Sequence, residues 1–293
     1  MGRRRLLSVP IAQRFSRMAA VKSLPDCDTI PAVGRCTPTC TGGRHGATGC
    51  RCGRHGGDRR TWQRICRALA VQGAHIAGVY RQSAEAAHAL VAEWSALGPH
   101  SAAFQADVTD PASVQQMVER VVAGFGRIDI LINNAAYNQL VPFRDLDGLT
   151  LELWEHIQRI NSTAPFLCVK AVAPVMRRQR RGRIVNVTSV AGLAPTGSSI
   201  AYAVSKAALT HLTRCLAVAL GPEIAVNAVA PGLLRGTKMT ARLSPTQVER
   251  GLMQSALQKY VDLDDVADQV VTFCRSDSTT GQVLVIDSGR VYH

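Results

Sequence analysis

The stretch from Ile184 to Lys206 reads IVNVTSVAGLAPTGSSIAYAVSK, and the fold and chemistry expected of the chain follow from it. Its first four residues are mainly apolar and β-branched, which is typical of a buried strand in a parallel sheet. Ser189 comes just after this predicted strand, and open α/β sheets bind ligands at the carboxyl ends of their strands. Tyr202 and Lys206 are four residues apart in a segment with helical apolar spacing, so their side chains are predicted to share one helix face.

Ser189, Tyr202 and Lys206 together suit acid–base chemistry on an oxygen atom. A phenol has an ordinary pKa of about 10, and a neighbouring ammonium lowers that pKa because it favours the phenolate. Tyr202 could then exchange a proton with an alcohol or carbonyl oxygen while the Ser189 hydroxyl binds the same oxygen. Taken alone, such a pair is more often a half-buried helix aromatic and a solvated lysine.

Further motifs occur in an order that resembles the short-chain dehydrogenase/reductase family. They are Asp107 after a predicted strand, Asn133-Asn134-Ala135-Ala136, Asn161, Ser189 with Tyr202 and Lys206, and Pro231-Gly232. The resemblance extends from about Ile65 to Gly289 and is strongest to members similar to 3-oxoacyl-carrier-protein reductases. It implies one α/β domain with a doubly wound parallel sheet, the Rossmann fold. The implied activity is hydride transfer between a nicotinamide cofactor and a small carbonyl compound or its alcohol.

The resemblance also assigns roles to individual residues. Tyr202 would be the general acid and base, and Lys206 would lower its pKa and bind the nicotinamide ribose. Ser189 would position the carbonyl, while Asn161 would distort its helix and hold a water that links Lys206 to solvent. The implied cofactor-binding residues are Gly56, Gly57, Tyr80, Arg81, Asp107, Val108, Asn134, Ala135, Ala136, Tyr202, Lys206, Pro231, Gly232, Leu234 and Thr237.

Two of these positions depart from the family pattern. The family usually has Gly where Ala136 stands, and it often places Thr where this chain has Gly236, so that Thr237 is displaced by one residue. By the same resemblance, residues 238–260 would cover the substrate pocket. The chain end would pack at a subunit interface, which predicts a homotetramer first and a dimer second.

Arg81 ends the second predicted strand and bears on the choice of cofactor. An acidic residue here would bind the ribose hydroxyl of NAD, whereas Arg accommodates the additional phosphate of NADP. Residues 78–82 contain no Asp or Glu, so NADP(H) is favoured over NAD(H). The alternative is that Arg81 is merely exposed.

The first strand and the glycine loop of the family pattern are poorly matched in this sequence. The segment HGGDRRTW at 55–62 supplies only Gly56 and Gly57, while TGGRHGATG at 41–49 lies about a dozen residues too early. Neither follows a β-branched apolar run. We therefore expect residues 1–60 to be a basic, disordered leader with a degraded or misread first strand, and residues 61–293 to be the Rossmann domain. Either an irregular segment replaces the strand, or the reading frame is shifted there.

A damaged glycine loop leaves a second function open. The chain could be a non-catalytic scaffold or regulatory protein of the same family that no longer binds cofactor. The complete set of Ser189, Tyr202, Lys206 and Asn161 favours the enzyme.

Charge and hydropathy exclude other classes. The formal net charge is +13, but the first 64 residues hold thirteen Arg and Lys against three Asp, which leaves about +3 for the rest. The basic run Arg177–Arg181 has no interleaved aromatic residues, so we expect no nucleic-acid partner; a binder that uses the leader would rest on charge alone. No run of eighteen apolar residues occurs, so no membrane span is expected.

The cysteines and the amino terminus add two further expectations. Five of the nine cysteines lie before residue 60, at spacings unlike those of structural zinc sites, so no metal is expected. The other four are predicted to be small buried residues: Cys66, Cys168, Cys215 and Cys274. Residues 1–25 have six basic residues and no acid, as in mitochondrial transit peptides or a disordered tail. A cytoplasmic location is predicted first and a mitochondrial one second.

Overall fold

A parallel sheet with helices on both faces forms the body of the protein. The computed structural model describes residues 19–23, 59–97, 100–237, 240 and 243–292. In this part of the chain, seven strands run in the order β3-β2-β1-β4-β5-β6-β7, and every pair is parallel. Two hydrophobic clusters cover the opposite faces of the sheet. The predicted doubly wound α/β fold is confirmed.

Strands and helices alternate along the chain as the sequence predicts from Ile65 onward. The strands are β1 (Ala19–Ser23), β2 (His75–Tyr80), β3 (Ser101–Gln105), β4 (Ile130–Asn133), β5 (Gly182–Val187), β6 (Ile224–Pro231) and β7 (Val283–Ile286). The helices are α1 (Arg59–Val71), α2 (Ala84–Ser95), α3 (Pro111–Phe125), α4 (Leu151–Gln158), α5 (Ala164–Arg178), α6 (Ile200–Leu220), α7 (Pro245–Met253) and α8 (Leu263–Arg275).

A strand, β1, lies within the segment that the sequence predicts to be the basic leader. It lies at the centre of the sheet, where Ala20 pairs with Ile76 of β2 on one side and Ile130 of β4 on the other. The 35 residues from Leu24 to Asp58 separate it from α1. The sequence pattern does not reveal this strand for two reasons. It lies far upstream of α1, and its sequence AAVKS contains only one β-branched residue. Its ladder is made by backbone groups, which these residues supply as well as any others.

The two core layers account for most of the buried apolar residues that the structure describes. One face of the sheet packs against α3, α5 and α6, and the other against α1, α2 and α8. Cys66, Cys168 and Cys274 are buried as predicted. Cys215 is exposed, which corrects that part of the prediction, because it lies on the outer side of α6 between the inward-facing Leu212 and Leu216.

A buried polar network joins the sheet to helix α6 near the site. Asn133 Nδ2 donates to Asn186 Oδ1 at 2.8 Å, and Asn186 Nδ2 donates to Thr213 Oγ1 at 2.9 Å. Unpaired buried amides are costly, so this chain of bonds specifies how β4, β5 and α6 fit together.

None of the helices in the described ranges is both long and apolar enough to cross a lipid bilayer.

Candidate active site

Ser189 and Tyr202 are placed by two local structures that follow strand β5. Ser189 begins a single turn of 3-10 helix, Val190–Gly192, and its Oγ accepts from the amide of Ala191 at 3.2 Å. The hydroxyl also lies 3.5 Å from the carbonyl of Pro231, which is too long for a strong hydrogen bond. Ser199 caps α6 by accepting from the amide of Tyr202 at 3.2 Å, so Tyr202 stands in the first turn of that helix.

Lys206 is a buried ammonium at the carboxyl end of β5. Its side chain is among the largest fully buried ones, and Nζ donates to the carbonyl of Val187 at 2.9 Å. Burial away from water lowers its pKa to about 8, because desolvation penalises the charged form. The ammonium lies 5.8 Å from the centroid of the Tyr202 ring, as the four-residue spacing predicts.

Asn161 lies in a π-helical turn, Arg159–Thr163, between α4 and α5. Its Oδ1 accepts from the amide of Tyr137 at 2.7 Å, and its Nδ2 donates to the carbonyl of Tyr137 and to Ser205 Oγ, both at 2.9 Å. The local helix distortion expected at Asn161 is therefore present. The side chain joins the segment after β4 to helix α6, one residue before Lys206.

The carboxyl ends of β2 and β3 bring Arg81 and Asp107 together. Arg81 Nη1 lies 3.6 Å from Asp107 Oδ2, and both side chains are about one-third exposed. Asp107 Oδ1 also accepts from the amide and the hydroxyl of Thr109. The two charged groups line an open cavity of about 600 Å³ that also carries Arg120. The lining also includes a second carboxylate, that of Glu119, and the two guanidinium groups are donors that suit a phosphorylated ribose.

The remaining predicted cofactor contacts lie at the same edge of the sheet. Tyr80 ends β2, and Val108, which follows Asp107, is fully buried. Asn134, Ala135 and Ala136 are half-buried and follow β4.

The segment after β6 is tied to the chain end. Gly232 donates its amide to Ile286 at 2.9 Å, and a Cβ on it would lie only 2.7 Å from the Cβ of Asp287. Leu234 forms a bridge with Val261. Thr237 is buried and bonded to Thr240 rather than open to the site.

Gly56 and Gly57, and the cysteines before residue 60, lie outside the described residues. No group of three or more metal-ligating side chains occurs among those the structure describes. Arg60 lies in the first turn of α1, where the glycine loop that binds phosphate would lead into the helix. A Cβ on Gly236 would overlap the guanidinium of Arg60, so Arg60 of α1 reaches over the segment that follows β6.

Sequence reasoning missed Arg60, Ser205 and Gly197. The helix dipole disfavours basic residues in the first turn of α1. Arg60 at this position could therefore have been recognised from the sequence as an unusual residue. A Cβ on Gly197 would lie 3.2 Å from Tyr202 Cδ1, so this glycine lets the backbone pack against the tyrosine ring. Nothing in the sequence distinguishes Gly197 or Ser205 from their neighbours.

Comparison with known proteins gives consistent matches. A family model described as enoyl-(acyl carrier protein) reductase matches residues 63–290. A 3-oxoacyl-(acyl-carrier-protein) reductase of Synechocystis sp. is 36% identical over 231 residues, which cover 76% of this chain and 90% of the relative.

Solved structures match as well. One from Burkholderia xenovorans, assigned to the short-chain dehydrogenase/reductases, is 29% identical with a TM-score of 0.70 and covers 78% of this chain and 93% of that one. The NADPH-dependent 3-quinuclidinone reductase from Rhodotorula rubra is 27% identical with a TM-score of 0.73, covering 80% and 87%.

Proposed function

Because this chain belongs to the short-chain dehydrogenase/reductase family, we propose that it is an NADP(H)-dependent oxidoreductase that interconverts a small carbonyl compound and its alcohol. The observation that carries the proposal is the buried ammonium of Lys206, one helical turn from Tyr202 at the carboxyl end of β5. A buried charge costs stability, so a purely structural role would be better served by an apolar residue.

Residues of this chain would transfer the proton and bind the reacting oxygen. Tyr202 gives a proton to the carbonyl oxygen during reduction and takes it back from the alcohol during oxidation. The Ser189 hydroxyl accepts from the amide of Ala191 and has a long donor contact with Pro231, so it can donate to the same oxygen and polarise the carbonyl. Lys206 favours the phenolate by its charge. Asn161 holds Tyr137 and Ser205 in place and would support proton exchange with solvent.

NADP(H), when bound, supplies or accepts the hydride. The described residues fit it: Arg81 and Arg120 would bind the ribose phosphate, and Asp107, which precedes the buried Val108, would bind the adenine. Asn134, Ala135, Ala136 and the segment from Pro231 to Leu234 would line the nicotinamide end. The N-terminus of α1 with Arg60 would hold the pyrophosphate, together with Gly56 and Gly57.

Two measurements test this function. The first is a fluorescence titration of the protein with NADPH and, in parallel, with NADH. We expect tighter binding of NADPH. No binding of either cofactor would contradict the proposal and favour the non-catalytic scaffold.

The second measurement is NADPH oxidation with a panel of small ketones. Tyr202→Phe is expected to lower the rate constant by about 10²- to 10⁴-fold while cofactor binding remains, because only the proton donor is lost. Thr272→Val, which removes an exposed hydroxyl from helix α8, is the control. An unchanged rate in Tyr202→Phe would remove Tyr202 from the mechanism.

The homotetramer or dimer remains a prediction, which light scattering can measure. Leu284 of β7 is an exposed apolar residue on the strand expected at such an interface. The domain boundary at residue 61 is also a prediction, and β1 places at least residues 19–23 in the same sheet.

A further inference from the structure

A cavity of about 200 Å³ lies next to the proposed proton donor. Gly197 lines this cavity, and a Cβ there would lie 3.2 Å from the Tyr202 ring. Leu233, which follows Pro231-Gly232, also lines it. The cavity therefore borders the residues that would act on the substrate carbonyl.

The lining of the cavity is basic. Its lining includes Arg250 of α7 and Arg290 near the chain end, and none of the described lining residues is Asp or Glu. The rest is largely apolar, with Leu140, Leu233 and Leu243. Positive charge in the wall of a largely apolar cavity favours a ligand that has an apolar body and an anionic group.

Arg290 is held in position by the turn that carries it. The carboxylate of Asp287 accepts from the amides of Gly289 at 2.9 Å and Val291 at 2.6 Å, which fixes this turn. Arg290 is half-buried, and its Nη2 donates to Gln254 Oε1 at 2.9 Å. Since Gln254 follows α7, the chain end and the helix are joined at the cavity wall.

Arg250 adds a second guanidinium to the cavity lining, on the face of α7 that leads to Gln254. Gln247, Arg250 and Gln254 are three and four residues apart, so they point to one side of α7 and its last turn. Arg250 is exposed and has no carboxylate partner among the described residues. Its charge is therefore not neutralised by the part of the protein that the structure describes.

We infer that the substrate is a short carbonyl compound with an anionic oxygen group, a carboxylate or a phosphate, at the end remote from its carbonyl, and that Arg250 and Arg290 bind this group. The inference rests on the proposed function, since it places the carbonyl at Tyr202. Guanidinium groups bind both anions through paired hydrogen bonds. The cavity is smaller than the 300–1,000 Å³ or so of typical ligand sites, which favours a short substrate.

The test compares two matched pairs of ketones with NADPH. Levulinate against methyl levulinate probes the carboxylate, and hydroxyacetone phosphate against hydroxyacetone probes the phosphate. In wild type we expect kcat/KM of the anion to exceed that of its neutral partner by about 10- to 100-fold in at least one pair, which is the range of charge-assisted hydrogen bonds. In the double variant Arg250→Met, Arg290→Met this ratio is expected to fall close to one.

Arg67→Met, which removes an exposed arginine of α1, is the control and should keep the ratio. The inference would be overturned if wild type had equal kcat/KM values for the neutral and anionic ketones. It would also be overturned if the double variant kept the wild-type ratio. The pair that shows the preference identifies the anionic group.

Calorimetry separates this inference from the proposed function. Levulinate and hydroxyacetone phosphate are titrated into wild type and the double variant without cofactor. Binding of one anion that the double variant loses supports the inference even if NADPH does not bind, in which case only the proposed function fails. Absence of anion binding in a protein that binds NADPH overturns the inference and leaves the cofactor assignment standing.

Discussion

Arg81 is the side chain on which cofactor selection depends. It lies beside Asp107 at the carboxyl end of β2, in the open cavity that also holds Arg120. Arg81→Ala is expected to weaken NADPH binding by about 10- to 100-fold, because a charge-assisted bond to the ribose phosphate is lost. NADH should bind with little change. Fluorescence titration of both cofactors measures this, with Arg67→Ala as the control for lost surface charge; equal weakening of both would contradict phosphate recognition.

Lys206 makes stability depend on pH. Its pKa is about 8 in the folded protein and about 10.4 in an unfolded chain, so the unfolded chain binds more protons between these values. The free energy of unfolding should therefore rise as the pH increases from about 8 towards 10. In Lys206→Met this contribution is absent, and wild type should gain about 3 kcal/mol relative to the variant between pH 7 and pH 10.

Urea denaturation at a series of pH values measures this difference. Lys170→Met, which removes an exposed lysine of α5, should follow the wild-type curve throughout. A constant gap between wild type and Lys206→Met would mean that Lys206 is not desolvated in the folded state.

For single residues, the sequence predicts which side chains belong to the site better than it predicts what those side chains contact. Ser189, Tyr202, Lys206 and Asn161 are recognisable because their chemistry depends on type and spacing. The bond from Thr237 to Thr240 and the contact of Gly197 with Tyr202 are not recognisable, since they depend on how distant segments meet.

The 3-10 turn Val190–Gly192 positions helix α6 by direct backbone contact. A Cβ on Gly192 would lie 2.5 Å from the carbonyl carbon of Lys206 and 2.7 Å from the amide of Ala207. Helix backbone cannot move aside, so Gly192→Ala should cost about 1–3 kcal/mol and lower the turnover rate by displacing Tyr202 and Lys206.

Thermal denaturation and NADPH oxidation measure the two effects. Gly124→Ala is the matched control, because a Cβ there would lie 3.9 Å from its nearest neighbour, within a helix that favours alanine. Wild-type stability in Gly192→Ala would show that the turn and helix are not in close contact.

The α/β alternation is predictable because the apolar periods of most elements are clear. Asp110 caps α3 by accepting from the amides of Ala112 and Ser113. The outward position of Cys215 is less evident, since apolar residues occur on both sides of α6 and Val218 is also exposed.

For the whole molecule, the position of β1 is the main result that sequence patterns miss. Val21→Pro would remove a backbone donor from a strand that has partners on both sides, leaving an acceptor unpaired at a cost of about 1–3 kcal/mol. Ala19→Pro changes only the first residue of the strand, where proline is tolerated. Urea denaturation compares the two variants with wild type, and equal stability of all three would mean that β1 does not belong to the sheet.

The length of chain between β1 and α1 affects how the sheet opens. Closing a chain of 35 residues costs more loop entropy than closing one of about five, by roughly 2 kcal/mol. Strand β1 should therefore detach in a partial opening that leaves β5 and β6 paired. In native-state hydrogen exchange, the amides of β1 and those of β2 and β4 that face it would exchange together, before the amides between β5 and β6.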